Sequence, residues 1–328
     1  MALRNRQIAF ALFRITLGLD MLMHAVMRVP NLAGFVNTTA KTAGRMPRVE
    51  LLAKLNRLCR TNAEALLASL QFCAENGIGC FRVNSQVLPL KTHQQLGYNM
   101  DDLPESAEII RQFRACGEFA REHGLRTCFH PDQFVVLNSP RPDVVQASIR
   151  ELEYQSEVAE WIGADVVNIH GGGAYGDKRK ALADFARNLN RLSCRTRTRL
   201  TVENDDKTYT PADLLPLCLA GGIPLVYDVH HHRCNQDGLS VEEATEQAVA
   251  TWDREPLFHL SSPKLGWDGP KPARHHDFID AKDFPHGWRC RTLTVEVEAK
   301  AKELAVLRLR DDLRGADSDR HPRRRVRA

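Results

Sequence analysis

Seven short runs of this chain each lead into a residue that could bind a metal ion or move a proton. In chain order they are FRVNSQ, leading to His93; CFHPDQ, with His130; NIHGGG, with His170; VENDD, with Glu203; YDVHHH, with Asp228 and His231; FHLSSP, with His259; and VEVEAK, with Glu298. These are imidazoles and carboxylates with no cysteine in a ligand pattern, the N and O donors that suit Zn²⁺ or Mn²⁺. They are too many for one four- to six-coordinate ion, so more than one divalent cation is implied. Two or three such ions a few Å apart suit phosphodiester hydrolysis, where they activate a water and hold the attacking and leaving oxygens in line. Any one buried histidine is more often a hydrogen-bonded core residue; the weight falls on the joint pattern. His24, His123, His286 and His321 fall outside it.

For side chains so far apart in sequence to meet, the runs that carry them must be parallel strands ending at one face. The stretch 48–75 has Leu51, Leu52, Leu55, Leu58, Leu66, Leu67 and Leu70 at helical spacing, and the glycines of NGIGC stop it before CFRVNS. The alternation continues through RTCFH, DVVNIH, LTVEN, PLVYDVHH, LFHLSS and LTVEVEA, each rich in Val, Ile, Leu or Phe and bracketed by turn residues. Between them the segments 106–123, 144–162, 180–194, 211–219 and 241–252 are long enough for crossovers. Seven such units predict an α/β fold of the TIM (β/α)8 type, with the eighth strand before residue 45. Catalytic groups of such barrels collect at the C-terminal ends of the strands. In an extended run side chains alternate, so if Asp228 points into the bowl His230 does too, unless the strand has ended and the loop turns His231 in.

The chain has 328 residues, 43% hydrophobic and 26% charged, the composition of a globular protein rather than a disordered or collagenous one. Its net charge of +4 lies wholly after Ala305; residues 1–304 balance at 37 acidic and 37 basic side chains, which gives no electrostatic case for nucleic acid binding by the body. Nine scattered cysteines without a C-x-x-C pair argue against a disulfide framework or zinc finger and for a reducing, cytoplasmic compartment. The stretch 8–29 is apolar but holds Arg14, Asp20, His24 and Arg28, so a membrane span is not expected. HGGGAYGDK could cradle phosphate with backbone N–H groups or be a βα turn that needs positive φ; it is not a nucleotide-triphosphate loop. The expected organisation is an atypical segment 1–35, a barrel domain 36–310 and a disordered basic tail 311–328.

The motifs FRVNSQVLPLKTH, FHPDQFVVLNSP, VVNIHGGGAYGDK, LTVENDDKTYTPADLLPLC, IPLVYDVHHHRCN, HLSSP, HHDFID and VEVEAKAKE occur in an order that resembles the UV damage endonucleases. That resemblance implies a TIM-barrel DNA repair enzyme that cuts the phosphodiester bond immediately 5′ of a UV photoproduct and leaves a 3′ hydroxyl. It implies two or three divalent ions, commonly Mn²⁺, and UV-damaged double-stranded DNA as the partner of a monomer. The ligands it implies are His93, His130, His170, Glu203, Asp228, His231, His259, His276 and Glu298, which favours His231 over His230. Glu203 would bridge the cations, with Lys178 and Lys300 as phosphate partners in catalysis. Gln133 and Phe134 resemble a pair that wedges into the duplex at the lesion, where unstacking costs a few kcal/mol and less at a damaged step. Tyr175, in the glycine-rich loop, is a further candidate DNA contact.

Two features depart from that pattern. Leu257 stands where some members carry a modified lysine that serves as a metal ligand, and leucine cannot coordinate. LGLDMLMHAVMRVPNLAGF resembles a piece of a small DoxX-type membrane protein instead of the usual opening strand and probing loop. Two other readings share the residues: a sugar isomerase or epimerase of the xylose-isomerase-like type, and a catalytically impaired damage-binding protein. The histidine-rich donor set, the PDQF wedge and the flanking lysines fit an anionic polymer better than a neutral sugar.

Overall fold

Strands covered on both sides lack a polar face, and CFRV, RTCF, VVNIH, LTVE, LFHL and TVEV are buried along nearly their whole length. The computed structural model describes residues 14–17 and 34–320. In it α1 (Ala40–Ala43) and α2 (Arg48–Glu75) follow β1 (Arg14–Leu17) and precede β2 (Cys80–Val83). Then come α3 (Ser106–Glu122), β3 (Arg126–Phe129), α4 (Pro142–Ile162), β4 (Val166–His170), α5 (Lys178–Leu189), α6 (Cys194–Arg197) and β5 (Leu200–Glu203). The chain continues through α7 (Pro211–Gly221), β6 (Leu225–Val226), α8 (Val229–Cys234), α9 (Val241–Val249), β7 (Leu257–Leu260), β8 (Thr294–Val297) and α10 (Glu303–Arg320).

All eight strands are parallel, in the order β6-β5-β4-β3-β2-β1-β8-β7. A parallel bridge between Asp228 and His259, with the His259 N–H donating to the Tyr227 carbonyl at 3.0 Å, closes β6 onto β7 and makes the sheet a barrel. The eighth strand expected before residue 45 is β1, which lies between β2 and β8 with Thr16 opposite Cys80 and Glu296. Residues 14–17 of the segment set apart as atypical are therefore barrel wall. The rest of the 8–29 stretch lies outside the described residues, and no helix among the described residues is long and apolar enough to cross a membrane.

The barrel obeys a strict period of two. Phe81, Phe129, Val167, Ile169, Val202, Phe258, Leu260, Val295 and Val297 face outward into the layer beneath the helices, with Leu66 and Leu70 of α2 and Phe113 of α3 in the same core. Each such buried side chain stabilises the fold by about 1.5–3 kcal/mol. Cys80, Cys128, Val166, Val226 and Leu257 form a separate inner cluster at the floor of the barrel. Two residues further along the same strands come Arg82, His130, Asn168, Asp228 and His259, so each inward column climbs from apolar floor to polar mouth. Leu257 belongs to the floor, fully buried against Cys and Val.

The tail departs from the expectation of disorder. Residues 311–320 continue α10, whose buried stripe of Ala305, Val306 and Leu309 runs on to Leu313 and whose Arg308 pairs with Asp312 one turn on. Arg-Asp composition masked that stripe. Residues 321–328 lie outside the described residues.

Candidate metal centre

Glu203, the last residue of β5, is fully buried and sits at the centre of the bowl. Its Oε2 lies 3.0 Å from His130 Nε2 and its Oε1 lies 3.1 Å from His259 Nδ1 and 3.3 Å from His231 Nδ1. Asp228 Oδ2 is 3.4 Å from His231 Nδ1, and Glu298 Oε1 is 3.6 Å from His259 Nδ1. His170 completes the ring of imidazoles, 5.0 Å from His130 and 6.1 Å from His231 between ring centroids. Three overlapping sets could each hold an ion: His130, Glu203 and His259; Glu203, Asp228 and His231; Asp228, His259 and Glu298.

The donor chemistry fits divalent cations. His130 Nδ1 lies 3.1 Å from the Pro131 carbonyl and its Nε2 3.0 Å from Glu203 Oε2, two acceptors that one neutral ring cannot both serve, and burial with the nearby Arg82 charge pushes the ring's pKa down to about 4. At neutral pH one ring nitrogen therefore points a lone pair at an oxygen, a repulsive contact that a cation shared with Glu203 would remove. Two ligands at about 2.1 Å from one ion and at right angles lie about 3 Å apart. Glu203 Oε1, Asp228 Oδ2, His170 Nδ1 and both His259 ring nitrogens are buried without hydrogen-bond partners among the described residues, whereas buried polar atoms ordinarily have one.

The electrostatics say the same. Burial would raise the Glu203 carboxyl, but the charges of His259 and His170 and the adjacent His130 and His231 rings hold it well below the usual range. Glu298 is lowered likewise, burial being outweighed by Arg82 and His259. Burial disfavours charge on His231 and His259, yet Asp228 and Glu203 raise the first and Glu203 and Glu298 the second. The acids thus demand positive charge, met in part by Arg82 of β2, whose Nη2 reaches Glu298 Oε1 at 2.6 Å and also pairs with Glu296. Replacing Arg82 by Met leaves two buried carboxylates without that partner. The expected cost is about 3–5 kcal/mol, read as a fall in Tm of about 10 °C for the metal-free protein.

Local backbone explains why His231 joins the bowl and His230 does not mirror Asp228. Strand β6 ends at Val226, and Asp228 caps α8, accepting from the His231 N–H at 2.7 Å. A side chain three residues into a helix turns back toward the cap, so strand alternation no longer applies. His230 is buried instead against Trp267 and His275, at ring distances of 5.1 and 5.2 Å.

Several expected ligands and contacts lie apart. His93 is half-buried, its Nδ1 accepting from the N–H groups of Gln95 and Leu96, and it joins none of the three sets. His276 is exposed, its Nδ1 accepting from the Phe278 N–H at 2.9 Å; the adjacent His275 is the one that faces Glu298, 3.8 Å away. HHDFID offered two neighbouring imidazoles, and only the antiparallel bridge of Pro263 with His275 decides which turns inward. Lys178, at the start of α5, is bound to Asp213 at 2.8 Å, and Lys300 lines a surface groove with Asp277, Phe278 and Leu304. Gln133 and Phe134 are exposed on the loop after β3, Phe134 to 75%, and Tyr175 is half-exposed on the loop after β4. Sequence reasoning missed Arg82, Asn168, His275 and Glu296. For Arg82, Asn168 and Glu296 the signal was the parity of the strands: Asn168, two before His170, donates to Glu203 Oε2 at 2.6 Å, and Glu296, two before Glu298, lies 3.5 Å from His259 Nε2.

The glycines of HGGGAYGDK answer to packing. A Cβ on Gly171 would meet the Tyr209 ring at 2.7 Å, and one on Gly172, at φ +84°, would meet Asn138 Oδ1 at 2.2 Å. Asn138 ties the turn together by donating to the carbonyls of Gly171 and Gly173, so the βα-turn reading accounts for them.

A family model described as UV-endonuclease UvdE matches residues 21–323. A protein of Bacillus pumilus (strain SAFR-032) named UV DNA damage endonuclease is 34% identical over 272 residues, covering 79% of this chain and 82% of the relative. One of the same name from Bacillus cereus (strain G9842) is 31% identical over 277 residues, covering 82% and 86%. The crystal structure of SacUVDE matches in fold with a TM-score of 0.79 at 24% identity, covering 93% of this chain and 98% of that one.

Proposed function

The chain belongs to the UV-endonuclease UvdE family, and on that premise we propose that it is a metal-dependent DNA repair endonuclease that nicks duplex DNA immediately 5′ of UV photoproducts and leaves a 3′ hydroxyl. The observation that carries this reading is the set of buried imidazoles and carboxylates aimed at one another around Glu203, several of their atoms without hydrogen-bond partners among the described residues. Two or three divalent ions, Mn²⁺ foremost, would supply Lewis acidity and a water ionised at neutral pH. Glu203, Asp228 and Glu298 with His130, His170, His231 and His259 would hold them.

The remaining residues have their work set by position. Glu203 presents its two oxygens to different imidazoles, the posture of a bridging carboxylate. Asn168 and Arg82 fix the carboxylates from below. Lys178 would exchange Asp213 for a DNA phosphate, and Lys300 would meet the backbone at the rim. His93 and His276 would reach a cation only if their loops move inward when DNA or metal binds. Gln133 and Phe134 would wedge at the lesion, and Tyr175 would contact the strand beside it. A monomer suffices, since every one of these groups comes from one chain. A sugar isomerase reading has the fold in its favour but not the family.

Incubating the purified protein and Mn²⁺ with an end-labelled duplex that contains one photoproduct tests reaction, substrate and cofactor together. One incision 5′ of the lesion, lost on chelation and regained with metal, is expected. Tight binding of damaged duplex without any cut would identify the impaired binder instead.

Because Asp228 and Glu203 raise His231, and Glu203 and Glu298 raise His259, above the ordinary imidazole value of about 6.5, protons compete with cations there into the neutral range. Metal affinity should therefore rise with pH through and beyond 6.5, and loading should release protons. Calorimetry of Mn²⁺ binding in buffers of different ionisation enthalpy reads the proton count; an affinity independent of pH between 6 and 8 would remove these two imidazoles from the ligand set.

A further inference from the structure

We infer that the loop 263–275, which follows β7, is a second surface for duplex DNA, set across the bowl from the loop that carries Phe134. The inference rests on the proposed function and adds a contact that the sequence motifs do not supply. In an eight-stranded barrel β3 and β7 are four strands apart whichever way round one counts, so the loops at their C-terminal ends stand on opposite rims. A duplex laid over the metal centre would span both.

The loop is built to present a fixed tip. Its neck is pinned beside the bowl by the bridge between Pro263 and His275 and by the Lys264 N–H donating to the Arg274 carbonyl at 2.6 Å. Trp267 bolts the middle: its Nε1 donates to Asp283 at 2.8 Å, and Arg233 lies 5.6 Å from its ring centroid. The turn from Leu265 to Gly269 is so tight that a Cβ on Gly269 would meet the Leu265 carbonyl oxygen at 2.4 Å. Gly266 takes φ +76°. On this frame Leu265 is 63% exposed, while Lys264, Lys271 and Arg274 are exposed around it against a single acid within the loop, Asp268.

Single exposed apolar side chains are ordinary on protein surfaces. What sets Leu265 apart is a rigid mount, a basic surround and an exposed aromatic, Phe134, on the loop of the opposite rim. Apolar side chains that unstack base steps, flanked by lysine and arginine on phosphates, are how proteins hold deformed duplexes. Pre-ordering the loop removes the entropy cost of fixing it on binding.

The test uses full-length, metal-loaded protein and a fluorescent duplex with one photoproduct, its scissile linkage blocked as a phosphorothioate, titrated at several salt concentrations. Lys264→Ala with Lys271→Ala should weaken binding about tenfold or more and reduce the slope of log Kd on log salt by about 1–2. Leu265→Ser should weaken binding several-fold with the slope unchanged. Both variants should keep the parent's Tm and metal content. Parent-like affinity and slope in both variants, with Phe134→Ala impaired in the same assay, would overturn the loop's role and leave the proposed function standing. A parent protein that binds no duplex at all would sink both.

Discussion

Replacing Glu203 by Gln should abolish strand cleavage, with a loss of at least about a thousandfold, and should lower bound metal measured on the same sample. The substitution keeps volume and one oxygen but removes the charge on which His130, His231 and His259 converge at 3.0–3.3 Å. Cations held between those imidazoles and the carboxylate lose their shared anion, so more than one would weaken together. Because the side chain is fully buried, the fold must be checked alongside. A variant with parental Tm, no cleavage and depleted metal is the expected result. Full metal content with full activity would show that Glu203 is an ordinary core carboxylate and that cleavage, if present, is organised elsewhere.

The second large effect concerns recognition. Changing Gln133 and Phe134 together to Ala should cut the preference for irradiated over intact duplex by about 10–100-fold, since an aromatic stacked on a base is worth about 1–3 kcal/mol. Phe134 is 75% exposed on a loop held by its own N–H, which donates to Asp132 Oδ1 at 3.0 Å. Removing it therefore leaves no cavity, and metal content and Tm should stay at parental values. Competition between damaged and undamaged duplex for one enzyme sample measures the ratio directly. An unchanged ratio would mean that the lesion is read from another element, the loop 263–275 being the first to examine.

Much of the barrel was legible because its inward and outward faces obey a period of two and its crossovers a helical one. Phe258 and Leu260 outward against Leu257 and His259 inward is a pattern that residue order alone carries. β1 was not legible: its four residues sit inside a longer apolar stretch that Gly18 alone hardly divides, and only pairing with β2 and β8 defines them. The helical tail was hidden for the opposite reason, its one buried apolar position among the described residues, Leu313, lying among arginines and aspartates.

The sequence by itself determined that imidazoles and acids stand at the ends of successive strands, because strand and helix periods are local and survive without any knowledge of neighbours. It also determined the family, since motif order is a property of the chain. Which donors meet was decided by tertiary structure alone. Asp228 capping α8 turned His231 inward, the Pro263 bridge chose His275 over His276, and the Arg82 guanidinium of β2 closed past β1 against Glu298. Each of those choices hangs on one turn or one strand register, and a change of a single residue in either sends a side chain to the other face.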